Sequence, residues 1–349
     1  MSKFVVNRRV FSVGAVLAAS TLGAPALWAQ PARPEKTRVA IAVGGKASFY
    51  YLPLTLAEQL GYFKAEGLDV EISDFAGGAR ALQAVVGGSA DVVSGAYEHT
   101  INLQNKGQMF QAFVLQGRAP QIALGVSVKS LPHYKSVADL KGRKIGVTAP
   151  GSSTNMMANL VLSRAGLKAS DVSFIGVGTS AGALTALRSG QIDAICNIDP
   201  VMTMLEQKGD VRIVFDTRTL KGTREVFGGD MPAGCLYAPL EFVQKNPHTA
   251  QALANAIVHA LKWLQTAGPG DIIKTVPEAY LLGDRGLYLA SFEKVREAIA
   301  LDGVFPEGGG KTALRALASF EPGLKADRID LAKTYTNQFA LRAKDRFKA

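Results

Sequence analysis

From residue 37 onward, the hydrophobic positions follow two alternating spacings. Short β-rich runs such as Arg38–Val43 are followed by stretches in which apolar residues recur every three or four positions, as at Leu52, Leu56 and Leu60. The first pattern predicts buried strands, and the second predicts helices with one apolar face. Strands separated by helices of this length are typical of βαβ units, so we expect mostly parallel sheets.

The alternation starts a second time near residue 136, with a strand at Lys144–Val147, and after residue 238 the pattern is helical. A chain of 349 residues is long enough for two lobes. We expect two α/β lobes in tandem, with a C-terminal helical extension packed on the first. The predicted division is lobe 1 at 38–124, lobe 2 at 125–236, and a return to lobe 1 with the C-terminal helices at 237–349. The helices of the extension are predicted at 249–266, 271–282, 288–301, 312–320 and 327–346.

The N-terminus has the pattern of an export signal. Arg8-Arg9 is followed by Phe11 and by an apolar, Ala-rich run that ends at Leu27. This order of charged, apolar and small residues predicts a signal peptide over residues 1–29 that is cleaved after Ala29, and a flexible leader over 30–37. The paired arginines favour the twin-arginine route, and the general secretion route stays open. The mature protein is therefore expected to be exported.

Composition excludes several classes of protein. The chain is 48% hydrophobic and 19% charged, which is typical of a globular protein. The signal carries three basic residues and no acidic one, so the net charge of +10 falls to +7 after cleavage. The sequence lacks a basic run with interleaved aromatic residues, so we do not expect nucleic-acid binding. The spacing of Cys196, Cys235 and the four His residues matches no metal site; we expect buried free thiols, no metal and no cofactor.

The segment 144–155 carries the clearest candidate chemistry. A buried strand stops at Pro150-Gly151, and the next residues suit the start of a helix. The free N–H groups and the positive dipole end of such a helix could bind an anion or a carboxylate, although an ordinary capped helix explains the same residues. Polar, glycine-rich or aromatic clusters follow five other strands, at 44–51, 75–80, 94–99, 176–180 and 197–200. In open α/β sheets, ligands bind beyond the carboxyl ends of the strands, so these loops predict a cleft between the lobes. Arg80 and Arg118 are candidates for binding a ligand's charge.

Several longer motifs resemble one family. These are Leu56–Glu71, Ala84–Val92, Asp139–Val147, Ala186–Ala194 and Tyr335–Phe339. Together they are similar to the periplasmic substrate-binding proteins of the nitrate/sulfonate/taurine and thiamine-precursor uptake systems, which are components of ABC importers. The resemblance implies a type II periplasmic binding fold, with two lobes joined by crossovers near 121–129 and 234–239. It also implies a monomer that catalyses nothing, closes over a small solute and delivers it to a membrane permease.

The resemblance also implies which residues contact the solute. Relatives often carry Trp beside the acidic residue before the proline, whereas this chain has Asn197-Ile198-Asp199-Pro200. Asp199 either pairs with a cationic nitrogen of the ligand or caps the next helix, and we favour the cap. A small organic solute, sulfonate-like or carboxylate-like, is expected; a thiamine-precursor pyrimidine and a receptor without transport stay open, and an enzyme on the same scaffold is less favoured. The implied ligand residues are Ser48, Phe49, Tyr50, Gly77, Gly78, Ala96, Tyr97, Ser152, Ser153, Thr154, Thr179 and Asp199.

Overall fold

The computed structural model describes residue 1 and residues 33–349. Within them the chain forms ten β-strands and fourteen α-helices. None of these helices combines the length and the apolar character that crossing a bilayer requires. The strands are β1 (Arg38–Val43), β2 (Asp69–Asp74), β3 (Val92–Ala96), β4 (Phe110–Leu115), β5 (Ile122–Ser127), β6 (Lys144–Val147), β7 (Ser173–Gly176), β8 (Ala194–Ile198), β9 (Val211–Asp216) and β10 (Gly234–Pro239). The helices are α1 (Leu52–Gln59), α2 (Tyr62–Ala65), α3 (Gly78–Val86), α4 (Glu98–Asn105), α5 (Ser153–Arg164), α6 (Ala181–Arg188), α7 (Val201–Gln207), α8 (Leu220–Phe227), α9 (Leu240–Lys245), α10 (Pro247–Thr266), α11 (Pro269–Thr275), α12 (Arg285–Val295), α13 (Gly309–Ala318) and α14 (Gln338–Phe347).

The strands form two separate five-stranded sheets. The first has the order β2-β1-β3-β10-β4, and the second has the order β7-β6-β8-β5-β9. In each sheet one strand runs against its neighbours: β10 is antiparallel to β3 and β4, and β5 is antiparallel to β8 and β9. The central strands β3 and β8 are buried along their whole length because helices cover both faces of each sheet. The predicted α/β architecture with two mostly parallel sheets is confirmed.

The chain passes between the two sheets twice, at residues 116–121 and at residues 217–233. Strand β5 pairs with strands of the second sheet, and β10 pairs with strands of the first. The predicted lobe limits at 124/125 and 236/237 therefore fall inside strands, and the predicted crossovers cover the strands that follow the passages. The second passage contains α8, which the hydrophobic pattern did not indicate.

Helices α10 and α14 of the C-terminal extension pack on the first lobe, whereas α12 and α13 also contact α7 and α5 of the second. Helix α10 contacts α1 and α14, and α14 also contacts β4. The predicted helix over 327–346 is wrong in its first half, because α14 begins at Gln338. The preceding backbone lies beside β4: Ala112 N–H donates to the Thr334 carbonyl at 2.9 Å, and Thr336 N–H donates to the Ala112 carbonyl at 2.8 Å. Backbone groups bound to a strand in this way are not available for helical hydrogen bonds.

Residues 1–37 were predicted to contain a signal peptide and a flexible leader. The signal peptide and its cleavage site lie outside the described residues, apart from Met1. The end of the predicted flexible leader is anchored, because the Glu35 carboxylate accepts hydrogen bonds from the backbone of His248 and Thr249 at the start of α10. Burial alone would raise the pKa of Glu35, but these hydrogen bonds lower it to about 2. The carboxylate thus supplies the negative charge that a helix N-terminus favours.

The two cysteines lie in different sheets. Cys196 is in β8 and Cys235 is in β10, and both are buried and free. The prediction of buried free thiols is confirmed.

We expect Gly44→Ala to destabilise the first lobe. A Cβ atom at residue 44 would lie 2.3 Å from the Gly77 carbonyl carbon and from the Gly78 nitrogen, and backbone atoms at a helix start cannot move aside cheaply. The expected loss is about 1–3 kcal/mol of unfolding free energy, measured by urea denaturation. Gly270→Ala, where a Cβ meets nothing within 4 Å, is the matched control and should lose nothing. Equal stability of the two variants would contradict the close approach.

Candidate ligand-binding cleft

The carboxyl ends of the strands in the two sheets face each other, and loops from both lobes touch there. Ala79 N–H, at the start of α3, donates to the Ser152 hydroxyl at 3.0 Å. Phe49 N–H donates to the Asp199 carbonyl at 3.2 Å. Each hydrogen bond joins a loop of the first lobe to a loop of the second. Loops that follow strands in the two lobes therefore meet at one place, as the sequence predicted.

Two glycines allow the lobes to approach this closely. Gly45 has φ of +102°, and a Cβ atom there would lie 2.4 Å from the Thr179 hydroxyl oxygen. Gly77 has φ of +103°, and a Cβ atom there would lie 2.8 Å from the Ala149 Cβ. In both places the missing side chain makes room for the opposite lobe, and the backbone adopts a conformation that glycine alone reaches easily.

Behind these contacts lies a small cavity of about 20 Å³, enough for one water molecule. Its walls come from both lobes and from both passages between the sheets. Three polar residues line it: Tyr50 before α1, Glu98 at the start of α4 and Ser153 at the start of α5. The remaining lining residues are apolar: Pro120, Ile122, Met156, Met157, Phe227, Met231, Ala233, Ala313, Ala316, Leu317 and Phe320.

Glu98 is a buried carboxylic acid between two helix starts. It is the first residue of α4, and its side chain faces Ser153, the first residue of α5. Burial raises its pKa to about 7, although hydrogen bonds from its own backbone N–H and from the Ser153 side chain oppose this. Glu98 therefore places a titratable carboxyl group beside the start of α5.

Tyr50 completes the polar part of the cavity. Its side chain is 4% exposed, and its hydroxyl lies beside the Ser153 side chain. Burial and the nearby Glu98 carboxyl raise its pKa well above the usual value. A phenolic hydroxyl both donates and accepts, so one contact with Ser153 leaves this atom with capacity for binding.

The predicted ligand residues divide by position. Tyr50 and Ser153 line the cavity. Gly77, Ser152, Thr179 and the backbone of Phe49 lie at the contact between the lobes. Ser48 shapes the loop before α1, where its hydroxyl donates to the Gly45 carbonyl at 2.7 Å. Gly78 begins α3, and Ala96 ends β3.

Three of the predicted residues make side-chain contacts within a single lobe. The Phe49 ring packs on Tyr288 of α12, with centroids 4.5 Å apart. The Tyr97 hydroxyl pairs with the Thr334 hydroxyl at 2.6 Å. The Thr154 hydroxyl oxygen accepts from Thr148 N–H at 3.0 Å. Loop position was predictable, whereas the direction of each side chain depends on the packing beneath it.

Asp199 lies in a buried charge cluster within the second lobe. Its Oδ1 atom accepts from Thr203 N–H at 2.7 Å, which supports the helix-cap interpretation. Its Oδ2 atom is 3.5 Å from Arg218, so the cation beside it belongs to the chain itself. Arg218 also pairs with Asp216 at 2.6 Å and with Glu206 at 3.1 Å. Burial raises the pKa of Asp199, and Arg218 opposes that rise.

The candidate arginines lie away from the cavity. Arg80 is exposed, and Arg118 donates from Nε to the Glu297 carbonyl at 2.7 Å. In the described part of the chain, no three His, Cys, Asp or Glu side chains are placed to hold a metal ion.

Helix α12 connects the first lobe to the second. Its Tyr288 and Phe292 rings contact Phe49, and its Lys294 pairs with Glu206 of α7 at 2.7 Å. The C-terminal extension therefore borders the cleft as well as covering the first lobe.

Sequence reasoning missed most of the cavity lining. Glu98 lay inside the noted cluster 94–99, and its position at a helix start was a signal that could have selected it. Met156 and Met157 follow the noted start of α5, and nothing local distinguishes them from core residues. Met231 and Phe227 belong to the second passage, whose path is set by the docking of the two lobes.

Comparisons with known proteins agree with this geometry. The sequence model of the NMT1-like family matches residues 32–275. A protein of solved structure from Bordetella bronchiseptica RB50 is 64% identical, with a TM-score of 0.90 over 91% of this chain and 100% of that chain. The alkanesulfonate-binding protein SsuA from Xanthomonas axonopodis pv. citri, solved bound to MOPS, is 19% identical with a TM-score of 0.64, covering 87% and 99% of the two chains. The periplasmic nitrate-binding protein NrtA from Synechocystis PCC 6803 is 18% identical with a TM-score of 0.65, covering 90% of each.

The resemblance inferred from the motifs is therefore confirmed, and the fold is that of periplasmic binding proteins. The two neighbours whose names state a solute, SsuA and NrtA, are both binding proteins.

We expect Arg218→Met to lower the unfolding free energy by about 3–5 kcal/mol, because it leaves the buried Asp199 without its cation. The matched control is Arg188→Met, which breaks the partly exposed pair with Asp210 at 2.9 Å. That control should lose less than about 1 kcal/mol. Urea denaturation measures both, and a small effect at Arg218 would show that the cluster contributes little.

A second prediction concerns pH. The pKa of Glu98 is raised from 4.5 to about 7 in the folded protein, so between these values the unfolded chain ionises while the folded chain stays protonated. The unfolding free energy that this pKa difference contributes is fully present below pH 4.5. It is lost as the pH rises to 7, because ionisation of Glu98 then favours the unfolded chain. Relative to wild type, Glu98→Gln should therefore gain up to about 3 kcal/mol of unfolding free energy across this range. The exposed Glu225→Gln control should show a constant difference, and a constant difference for Glu98→Gln would contradict the assignment.

Proposed function

The chain belongs to the NMT1-like family, and from this premise we propose that it is the solute-binding component of an ABC importer. In this proposal it captures a small organic solute between its lobes and delivers it to a membrane permease. Residues 1–29 would direct the protein to the periplasm, where it would act as a monomer.

The observation that carries the proposal is the shared construction of the cavity. Tyr50 and Glu98 come from the first lobe, and Ser153, Met156 and Met157 come from the second. The cavity holds about one water molecule in this arrangement, so an organic solute would keep the walls somewhat further apart, and its contacts with both of them would favour lobes closed around it. A permease could then distinguish a loaded protein by its shape.

The cavity supports an organic solute over an inorganic ion. Its described lining has eleven apolar residues and three polar ones, so most of a bound solute would face apolar atoms. Two structural neighbours are named for binding alkanesulfonate and nitrate. These two solutes should therefore be compared first with organic carboxylates and amides.

Solution scattering combined with thermal unfolding tests the proposal. MOPS, nitrate, benzoate, benzamide and benzamidine are the probes, added to the mature protein after refolding. A probe at 100 times its dissociation constant should stabilise the protein by about 2.7 kcal/mol and reduce its radius of gyration. The proposal would be contradicted if no probe stabilised the protein. It would also be contradicted if a probe stabilised the protein at saturation without reducing its radius of gyration.

A variant that holds the lobes apart provides the matched test. Ala149 faces Gly77 across the lobe contact, so Ala149→Trp should weaken solute binding at least tenfold, or about 1.4 kcal/mol. Ala138→Trp adds the same bulk at an exposed position of the second lobe and should bind as wild type does. Equal affinity of the two variants would mean that closure contributes nothing to binding.

A further inference from the structure

The polar groups of the cavity favour one kind of partner. Tyr50, Glu98 and Ser153 are the polar lining residues, and the lining contains no Lys, Arg or His among the described residues. The fixed charge that the walls can offer is therefore negative. This differs from the anionic solute expected from the sequence.

We propose that the solute presents a nitrogen group that donates hydrogen bonds, cationic or neutral, to Glu98 and Tyr50, and that this group is attached to a compact apolar body. This inference rests on the proposed function and specifies the chemistry of the same site.

Hydrogen-bond capacity supports the nitrogen donor. A carboxylate offers about four lone-pair positions, and Glu98 receives hydrogen bonds from its own backbone N–H and from Ser153. The Tyr50 hydroxyl lies beside Ser153 and keeps lone-pair capacity to accept a further hydrogen bond. An amine, amide or amidine nitrogen with two or more N–H groups could reach both oxygens at once, whereas a sulfonate or carboxylate has no proton to donate.

The surroundings of Glu98 do not neutralise it. The ionisable groups that face it are Tyr50 and Tyr51 before α1, Tyr97 beside it in the chain, and Cys235 and Tyr237 on β10. His99 follows it in α4, and burial lowers the pKa of that imidazole to about 4, so it is neutral at pH 7. An anionic solute would meet a carboxylate with no nearby cation to offset the repulsion. A cationic or donor nitrogen would instead relieve the cost of burying Glu98.

The apolar walls suit a compact hydrocarbon or aromatic body. Met156, Met157 and Met231 are unbranched and flexible, so they can adjust to different shapes when the lobes separate and the cavity enlarges. Phe227 and Leu317 supply firmer surfaces. The apolar walls can thus adapt to solutes of different shape, whereas Tyr50, Glu98 and Ser153 determine the chemical class of the solute's polar group.

Three probes of nearly equal shape test the inference: benzamidine, benzamide and benzoate carry a positive, a neutral and a negative head on the same ring. Titration calorimetry of the mature protein at pH 8 should give an affinity order of benzamidine, then benzamide, then benzoate. Glu98→Gln should weaken benzamidine at least tenfold and leave benzoate as it was or tighter. Glu225→Gln, which changes an exposed carboxylate on α8, should leave all three affinities unchanged.

The pH dependence adds a readout that a structural role for Glu98 would not give. Because the pKa of Glu98 is about 7, wild-type affinity for benzamidine should rise as pH increases from 6 to 8, and this rise should vanish in Glu98→Gln. Affinity for benzamide should change less, because its head is neutral.

The outcomes separate this inference from the proposed function. If benzoate or MOPS binds best and compacts the protein, the binding function stands and the nitrogen-donor inference is overturned. If no probe of any charge binds or changes the radius of gyration, both fail. Benzamidine that binds equally well to wild type and to Glu98→Gln would also overturn the inference, because the head group would then lie elsewhere.

Discussion

The burial of one carboxyl group between two helix N-termini is the constraint on which the cleft depends. Glu98 begins α4, faces the beginning of α5 and is 4% exposed. Burial in such a place disfavours the charged form and raises the pKa of Glu98 to about 7. The same placement sets the polarity of the cavity and joins the chemistry of the first lobe to that of the second.

A different principle holds the rim of the cleft together. Gly45 and Gly77 let backbone meet the opposite lobe, and the hydrogen bond from Ala79 to Ser152 fixes the register of that contact. The rim thus relies on shape and on backbone groups, whereas the interior relies on side-chain chemistry. These two parts can vary independently, which suits a scaffold whose relatives bind different solutes.

Local pattern was sufficient for much of the fold. The strands Arg38–Val43 and Lys144–Val147 lie at the residues predicted for them, because apolar runs between turn residues need no distant information. The chain before α14 was wrongly predicted as helix. Its backbone hydrogen bonds go to β4, more than 200 positions away, and a local pattern cannot reveal them. In the site, the loops were predictable, but Tyr97 and Thr154 turn inward because of packing that the sequence pattern does not encode.

The pair of Lys294 and Glu206 has a consequence beyond the fold. It joins α12, which packs on the first lobe through Phe49, to α7 of the second lobe, and both side chains are about one-third exposed. Such a pair is screened by dissolved salt. Ionic strength therefore acts on the strength of this link between the two lobes, whereas the aromatic contact of α12 with Phe49 carries no charge that salt could screen.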